Sequence, residues 1–177
     1  MLATKLDTLD AILEQHSDAL GADLTPYRNH AYRVINLCAA LSSDEPARLE
    51  KMQIAVAFHD LGIWTDRTFD YLVPSLQRAH AYLTTHNREW QPEIEAMILE
   101  HHKLRTYRAQ PDWLVEAFRR ADWVDVTYGA RAFGLPRSLV RDLFARYPDT
   151  GFHRRLVQLT LQRTASHPFS PLPMMRF

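Results

Sequence analysis

Apolar residues recur every three or four positions through most of this chain, and this period constrains its fold more than any other feature. Such a period places side chains on one face of an α-helix. The stretches that carry it are bounded in several places by glycine or proline, residues typical of helix ends. The sequence shows no alternation typical of half-buried strands, so we predict an all-α fold, a compact bundle of about seven to eight helices.

The helix boundaries are predicted from the apolar positions and from the residues that flank them. Pro26 and Pro46 suit the first turn of a helix, and Gly21 and Gly62 suit helix ends. Residues 63–71 lack the period and are expected to form a loop. The predicted helices cover approximately residues 6–20, 25–41, 46–62, 72–83, 94–104, 114–122, 136–147 and 151–164.

Length and charge bound the kind of protein. The 177 residues fit one domain, expected over residues 1–167, followed by a Pro-rich tail over residues 168–177. We expect a cytoplasmic protein without a membrane partner, because no signal pattern and no apolar run of about 20 residues is present. A formal net charge of zero leaves a nucleic-acid partner unsupported, and the oligomeric state stays open. Cys38, the single cysteine, excludes an internal disulfide and is expected in the core.

Five of the apolar stripes carry a histidine or an aspartate beside leucine, isoleucine, valine or phenylalanine. A buried ionisable group costs several kcal/mol unless a hydrogen-bond partner or a cation satisfies it. One such group is commonplace, but five would need five separate partners. A metal ion would account for all of these ionisable groups together. Imidazole and carboxylate ligands are typical of sites for Fe, Mn, Zn, Co or Ni. The candidate ligands are His30, His59, Asp60, His80, His101, His102 and Asp122.

Other histidines fit this pattern less well. His16 lies alone on the first apolar stripe and is expected at the edge of the core. Three more, His86, His153 and His167, fall in polar or terminal segments and are expected outside the site. Asp125 lies one turn after Asp122, where it either faces solvent or orients a ligand histidine.

The order of the candidate ligands resembles the HD-domain superfamily of metal-dependent phosphohydrolases. The resemblance covers residues 25–127 and is centred on the run Phe58-His59-Asp60-Leu61-Gly62. It implies a first metal ion bound by His30, His59, Asp60 and Asp122. The dinuclear branch of the superfamily implies a second ion bound by His80 and by His101 or His102, with Asp60 bridging the two ions.

The paired histidines and the segment after them suggest catalytic and substrate-binding groups. The helical register favours His101 as the ligand, which leaves His102 as a second ligand or as a proton donor. We therefore expect Asp60, His102 and Lys103 to act in catalysis. Arg105 and Arg108 are candidates for binding an anionic substrate, and Trp64, in an aromatic loop, for binding a ring or an apolar group.

The resemblance implies hydrolysis of a small phosphorylated substrate by a water that one or two divalent ions activate. Many HD hydrolases carry a glutamate or a lysine just after the doublet, whereas this chain has Gly62-Ile63-Trp64, so the general acid stays unnamed. Two alternatives are open. The chain is similar to the inositol-oxygenase-like branch, which uses a di-iron centre on a small polar substrate. A non-catalytic domain that binds a metal or a ligand is the other.

Overall fold

The computed structural model describes residues 2–42 and 46–175, and the regular elements in these ranges are all helical. Eight of the α-helices in the described ranges have nine or more residues, which confirms the predicted all-α fold. The α-helices are α1 (Asp7–Gln15), α2 (Ser17–Leu20), α3 (Leu24–Leu41), α4 (Pro46–Phe58), α5 (Gly62–Thr65), α6 (Leu72–Thr85), α7 (Gln91–Glu100), α8 (Val115–Val126), α9 (Arg137–Arg146) and α10 (Phe152–Ser166).

Helix α3 forms the centre of the molecule. Pro26 lies in its first turn, where the missing backbone N–H removes no helical hydrogen bond, and Pro26–Cys38 is buried except for one residue. The helix packs against α8 along much of its length and also contacts α4. This packing places the inner face of α3 opposite that of α8.

Helices α4 and α7 surround this central pair. Helix α4 packs on α1, α3 and α7, and α7 packs on α6 and α8. The two helices end at Phe58 and Glu100. The turns that follow them, residues 59–61 and 101–102, carry the paired polar residues that the sequence analysis singled out.

Several helix boundaries differ from the predicted ones, two of them at His16 and Glu100. The first helix is interrupted at His16, whose backbone leaves the helical conformation and whose ring packs edge-on against Phe58. The helix expected to reach residue 104 ends at Glu100, and Leu104 is exposed. In both places the apolar period continues past the end of the helix, so the sequence pattern alone does not mark the break.

Gly62 does not end a helix as predicted, because α4 ends at Phe58 and Gly62 begins the short helix α5 inside the expected loop. Its role is a close approach of two backbones. A Cβ atom at this position would lie 2.5 Å from the carbonyl oxygen of Tyr71, so a larger residue does not fit without movement. The Gly62 N–H donates to Ser75 Oγ at 2.9 Å, which joins this turn to α6.

The C-terminal segment is partly packed on the fold. Met174 is buried, whereas Phe169 is fully exposed, and residues 176 and 177 of the predicted tail lie outside the described residues. Cys38 is buried, as expected. Among the described residues no helix combines the length and the apolar character needed to cross a membrane.

Candidate metal site

The His59-Asp60 doublet lies in the turn after α4 and is tied to α3 by a tyrosine. The His59 N–H donates to Ala55 O at 2.9 Å, which extends the helical hydrogen bonding by one residue. The Asp60 N–H then donates to the Tyr27 hydroxyl at 3.3 Å, and this hydroxyl donates to Val56 O at 3.1 Å. Tyr27 therefore satisfies groups that the end of α4 leaves open and fixes the direction in which the doublet points.

Three buried imidazoles use their Nδ1 atoms for hydrogen bonds that point away from the site. A carbonyl or carboxylate oxygen only accepts, so each Nδ1 carries the hydrogen and each neutral ring presents a lone pair on Nε2. The contacts are His30 Nδ1 to Asp125 Oδ2 at 2.7 Å, His59 Nδ1 to Val56 O at 2.7 Å, and His101 Nδ1 to Ile98 O at 2.6 Å.

Two buried carboxylates face these Nε2 atoms. Asp60 Oδ2 lies 3.3 Å from His59 Nε2, and Asp60 Oδ1 lies 3.4 Å from His101 Nε2. Asp122 Oδ1 lies 3.6 Å from His30 Nε2. Asp60 Oδ1 and both carboxylate oxygens of Asp122 are buried and receive no hydrogen bond. Buried acceptors without a donor are rare in proteins, so the site needs either protons or a cation.

His102 forms the solvent side of the cluster. Its side chain is 17% exposed, whereas the imidazoles of His30, His59 and His101 are fully buried. Because α7 ends at Glu100, both members of the pair turn toward the carboxylates. His102 Nδ1 lies 3.4 Å from Asp122 Oδ2, and its Nε2 lies 4.0 Å from Asp60 Oδ1. The sequence register favoured one histidine of this pair, and the structure brings in both.

The buried groups could hold a metal ion. In the described part of the chain, three overlapping sets offer ligand atoms that all lie within 4.8 Å of one another. The sets are His30, His59 and Asp122; His59, Asp60 and His101; and His101, His102 and Asp122. Helices α3 and α8 and the two turns after α4 and α7 therefore supply one continuous group of possible ligands.

The electrostatics of the site depend on burial and on the two carboxylates. Burial lowers the pKa of His30 to about 4, which keeps this ring neutral at pH 7. Burial also disfavours the charged form of His59, but Asp60 and Asp122 outweigh it and raise the pKa to about 9. Burial and the nearby charge of Asp60 raise the pKa of Asp122 well above its usual range. Without a cation, the site therefore has to retain protons.

His80 is not brought to this cluster. Its Nε2 lies 3.1 Å from Glu95 Oε2, and its side chain is 32% exposed. The buried face of α6 is formed by Ser75, Ala79 and Leu83, which lies beside the predicted stripe. His80 stands next to this face and belongs to the rim of the α6–α7 contact.

The predicted catalytic lysine and substrate-binding residues lie on the segments that flank the cluster. Lys103 is half-buried directly after His102, and Arg105 and Arg108 are exposed on the same segment. Trp64 is buried, and its Nε1–H donates to Asp23 Oδ2 at 2.8 Å, so the polar atom of its ring already has a partner.

Several residues that lie beside the cluster were not predicted as members of the site. Tyr27 lies three residues before His30 on one helix face, a spacing that could have indicated it. The Tyr71 hydroxyl lies 3.5 Å from His101 Nε2, whereas the sequence offered this residue only as part of an aromatic loop near the site. His153, expected outside the site, is buried with its Nε2 at 3.0 Å from Asp125 O.

Comparisons with family models, with curated proteins and with solved structures give no match for this chain. The resemblance to the HD-domain superfamily therefore stays a prediction from the residues quoted above. The possible metal site, in contrast, is described by distances and burial within the chain itself.

Proposed function

We propose that this chain is a metal-dependent hydrolase of the HD type, which hydrolyses a small phosphorylated substrate with a metal-activated water. One observation supports the proposal most directly: a buried cluster in which imidazole Nε2 atoms face carboxylate oxygens, three of which receive no hydrogen bond. Two carboxylates in such a cluster carry two negative charges when ionised. A divalent cation matches this charge and accepts the lone pairs.

The ligands in the proposal are the four that the resemblance implies and that lie together here, namely His30, His59, Asp60 and Asp122. Imidazole with carboxylate favours Fe, Mn, Zn, Co or Ni over Ca or Mg. When bound, such an ion would lower the pKa of a water ligand to about 7, which would supply hydroxide at neutral pH. The dinuclear branch would bind two metal ions with six residues, one of them His80. Because His80 lies beside Glu95 and outside the cluster, the structure favours the four-ligand set with one ion.

The other residues of the cluster suit proton transfer and substrate binding. Asp60 Oδ1 has no donor and is therefore available to accept the proton of an attacking water. His102 lies at the partly exposed edge, where burial and the neighbouring His101 lower its pKa well below the usual range, so its neutral imidazole would relay a proton to the leaving group rather than store one. Lys103, Arg105 and Arg108 follow His102 in the chain and add positive charge that would attract a phosphate group.

The metal assay is the first experiment. The purified protein is loaded with each candidate divalent ion and desalted, and its metal content is measured by elemental analysis. We expect about one ion per chain in the wild type and a loss of that ion in His59→Ala and Asp60→Ala. His80→Ala is the matched control, because it removes a histidine that lies outside the cluster and should leave the metal content unchanged.

The activity assay separates hydrolysis from its alternatives. The loaded protein is incubated with a panel of nucleotides and small phosphoesters, and released phosphate is measured. Metal-dependent release that His59→Ala abolishes and His80→Ala retains supports the proposal. Oxygen uptake with a mixed-valent iron EPR signal and no phosphate release would instead indicate an oxygenase. Stoichiometric metal with neither activity would indicate a binding domain, and the absence of bound metal would reject the proposal altogether.

A further inference from the structure

Asp125 lies behind His30, on the side away from the cluster, and both of its carboxylate oxygens are occupied. Its Oδ2 accepts from His30 Nδ1 at 2.7 Å. The Arg33 guanidinium donates Nε to Oδ1 and Nη2 to Oδ2, the second at 3.0 Å. The third nitrogen, Nη1, donates to Tyr147 O at 2.8 Å. The side chains of Arg33, Asp125 and His30 are all fully buried.

A fully buried ion pair is a costly way to stabilise a fold. Removing two charges from water costs several kcal/mol per ion, and good hydrogen bonds only roughly offset this cost. The Arg33–Asp125 pair satisfies its own charges, so it adds no net charge to the nearby cluster. The contact between Asp125 and His30 is the part of this arrangement that acts on the candidate ligands.

We propose that Asp125 is a positioning residue for the metal site and that Arg33 holds its carboxylate in place. The inference rests on the metal-binding part of the proposed function. A carboxylate at Nδ1 fixes the hydrogen of His30 on that atom, which leaves the Nε2 lone pair directed at the ligand cluster. With both oxygens committed, Asp125 itself is left out of the ligand set.

Residues beyond the predicted core of the motif complete this support. The Phe152 ring stacks on the His30 ring with centroids 4.1 Å apart and planes at 17°, which restricts rotation of the imidazole. His153 Nε2 donates to the backbone oxygen of Asp125 at 3.0 Å, and Asp149 contacts the Nδ1 atom of His153. The support for the metal site thus extends past residues 25–127 into the beginning of α10.

The substitution Asp125→Asn tests this role with almost no change in shape. If the new amide keeps its oxygen on Arg33 Nε, its NH2 group takes the place of Oδ2, where it faces His30 Nδ1 and loses the hydrogen bond from Arg33 Nη2. This geometry moves the ring hydrogen to Nε2 and blocks the ligand lone pair, as a wrong tautomer does in other Asp–His pairs. We expect about 10- to 100-fold weaker Co²⁺ and Zn²⁺ affinity with an unchanged circular dichroism spectrum, and an altered Co²⁺ absorption spectrum.

Asp10→Asn is the matched control. Asp10 also accepts two hydrogen bonds from an arginine on α3, Arg28 Nε at 2.7 Å and Nη2 at 2.8 Å, but it contacts no histidine. We expect Asp10→Asn to bind Co²⁺ as the wild type does. Equal Co²⁺ affinity in Asp125→Asn and Asp10→Asn would overturn the inference.

A second measurement decides the matter if Asp125→Asn does not fold. Imidazole ¹H–¹⁵N spectra of the metal-free wild type report which nitrogen of His30 carries the hydrogen. We expect the Nδ1–H form with a hydrogen-bonded, downfield proton, and the Nε2–H form would overturn the inference. This result is independent of hydrolysis, so failure of the proposed function in the phosphate assay and failure of this inference are distinguishable.

Discussion

The Nε2 atoms of His30 and His59 lie 3.1 Å apart, although each ring already donates from Nδ1. Two lone pairs at this distance repel one another unless a proton or a cation lies between them. In the metal-free protein a proton on His59 supplies this link, since the carboxylates raise the pKa of His59 to about 9. A metal ion and this proton therefore compete for the same position.

The competition predicts a specific pH dependence of metal affinity. His59 is protonated below its pKa of about 9, and binding of the metal has to displace that proton. We expect the apparent association constant to rise by at least about tenfold per pH unit between pH 6 and 8, because the metal displaces the proton of His59 and, where Asp122 is still protonated, a second one. Competition titrations of Zn²⁺ against a chelator at fixed ionic strength measure this slope. An ordinary histidine pKa of about 6.5 would instead give a plateau above pH 7, and that result would contradict the assignment.

Replacing Asp122 by asparagine should stabilise the metal-free protein while it abolishes metal binding. The pKa of Asp122 is raised in the folded state, so the contribution of this carboxyl group to stability is complete below about pH 3.9, the pKa of an unfolded aspartate, and is lost as the pH rises. Asp122→Asn removes this penalty and supplies a donor to the surrounding acceptors. We expect a gain of about 1–3 kcal/mol in the free energy of unfolding at pH 7.

Urea unfolding of chelator-treated protein at pH 7 and pH 5 measures this gain, which should shrink at the lower pH. Added Zn²⁺ provides the control, because a ligand that binds only the folded state stabilises it. Zn²⁺ should raise the stability of the wild type and leave Asp122→Asn unchanged. A variant less stable than the wild type at pH 7 without metal would show that Asp122 already has a satisfying partner.

The helices could be predicted from the sequence because their signal is local, but the register of one helix shows the limit of that signal. Helix α6 carries leucine and histidine every three or four residues, which predicted His80 as a ligand. The structure buries Ser75 and Ala79 together with Leu83, whereas Leu72, Leu76 and His80 of the predicted stripe are only partly buried. Serine and alanine contribute little to the apolar period, so this period does not predict a buried helix face that consists of small residues.

The inner ligands could be predicted, whereas their supports could be predicted only in part: the spacing after Asp122 offered Asp125 as a residue that orients a ligand histidine, but it gave no indication of Arg33. His30, His59 and Asp122 stand out because an ionisable residue on an apolar stripe is locally anomalous. Arg33 and Asp125 are joined by a contact that spans 92 residues of sequence, and Arg33 alone looks like an ordinary charged helical residue. Such a pair is specified by the packing of α3 against α8, and a single sequence gives no signal for it.

Tyr27→Phe should weaken metal binding without unfolding the chain. The lost hydroxyl accepts from the Asp60 N–H and donates to the end of α4, so its removal leaves buried backbone groups unsatisfied. We expect a loss of about 1–3 kcal/mol in the free energy of unfolding, together with reduced Zn²⁺ affinity.

Tyr32→Phe is the control for Tyr27→Phe, since Tyr32 lies on the same helix as Tyr27 but its hydroxyl donates to Asp10 of α1, at 2.8 Å. Chemical unfolding and Zn²⁺ titration of both variants make the comparison. Both should lose stability, but only Tyr27→Phe should lose metal affinity. Equal Zn²⁺ affinity in the two variants would show that the Tyr27 hydroxyl does not position His59 and Asp60 for metal binding.

Gly62→Ala tests whether the turn after the doublet depends on a close approach of backbones. The added methyl group would lie 2.5 Å from Tyr71 O and 3.0 Å from Ser75 N, so the turn or the start of α6 has to move. We expect a loss of about 1–3 kcal/mol in the free energy of unfolding, as in other overpacked sites. Zn²⁺ affinity should also fall, because Gly62 lies two residues after Asp60.

Gly134→Ala is the control, since Gly134 has a positive φ of 88° but no atom within 4 Å of the added methyl group. It should cost about 1 kcal/mol of backbone strain and leave Zn²⁺ binding intact. Wild-type stability and Zn²⁺ affinity in Gly62→Ala would show that this turn tolerates a side chain.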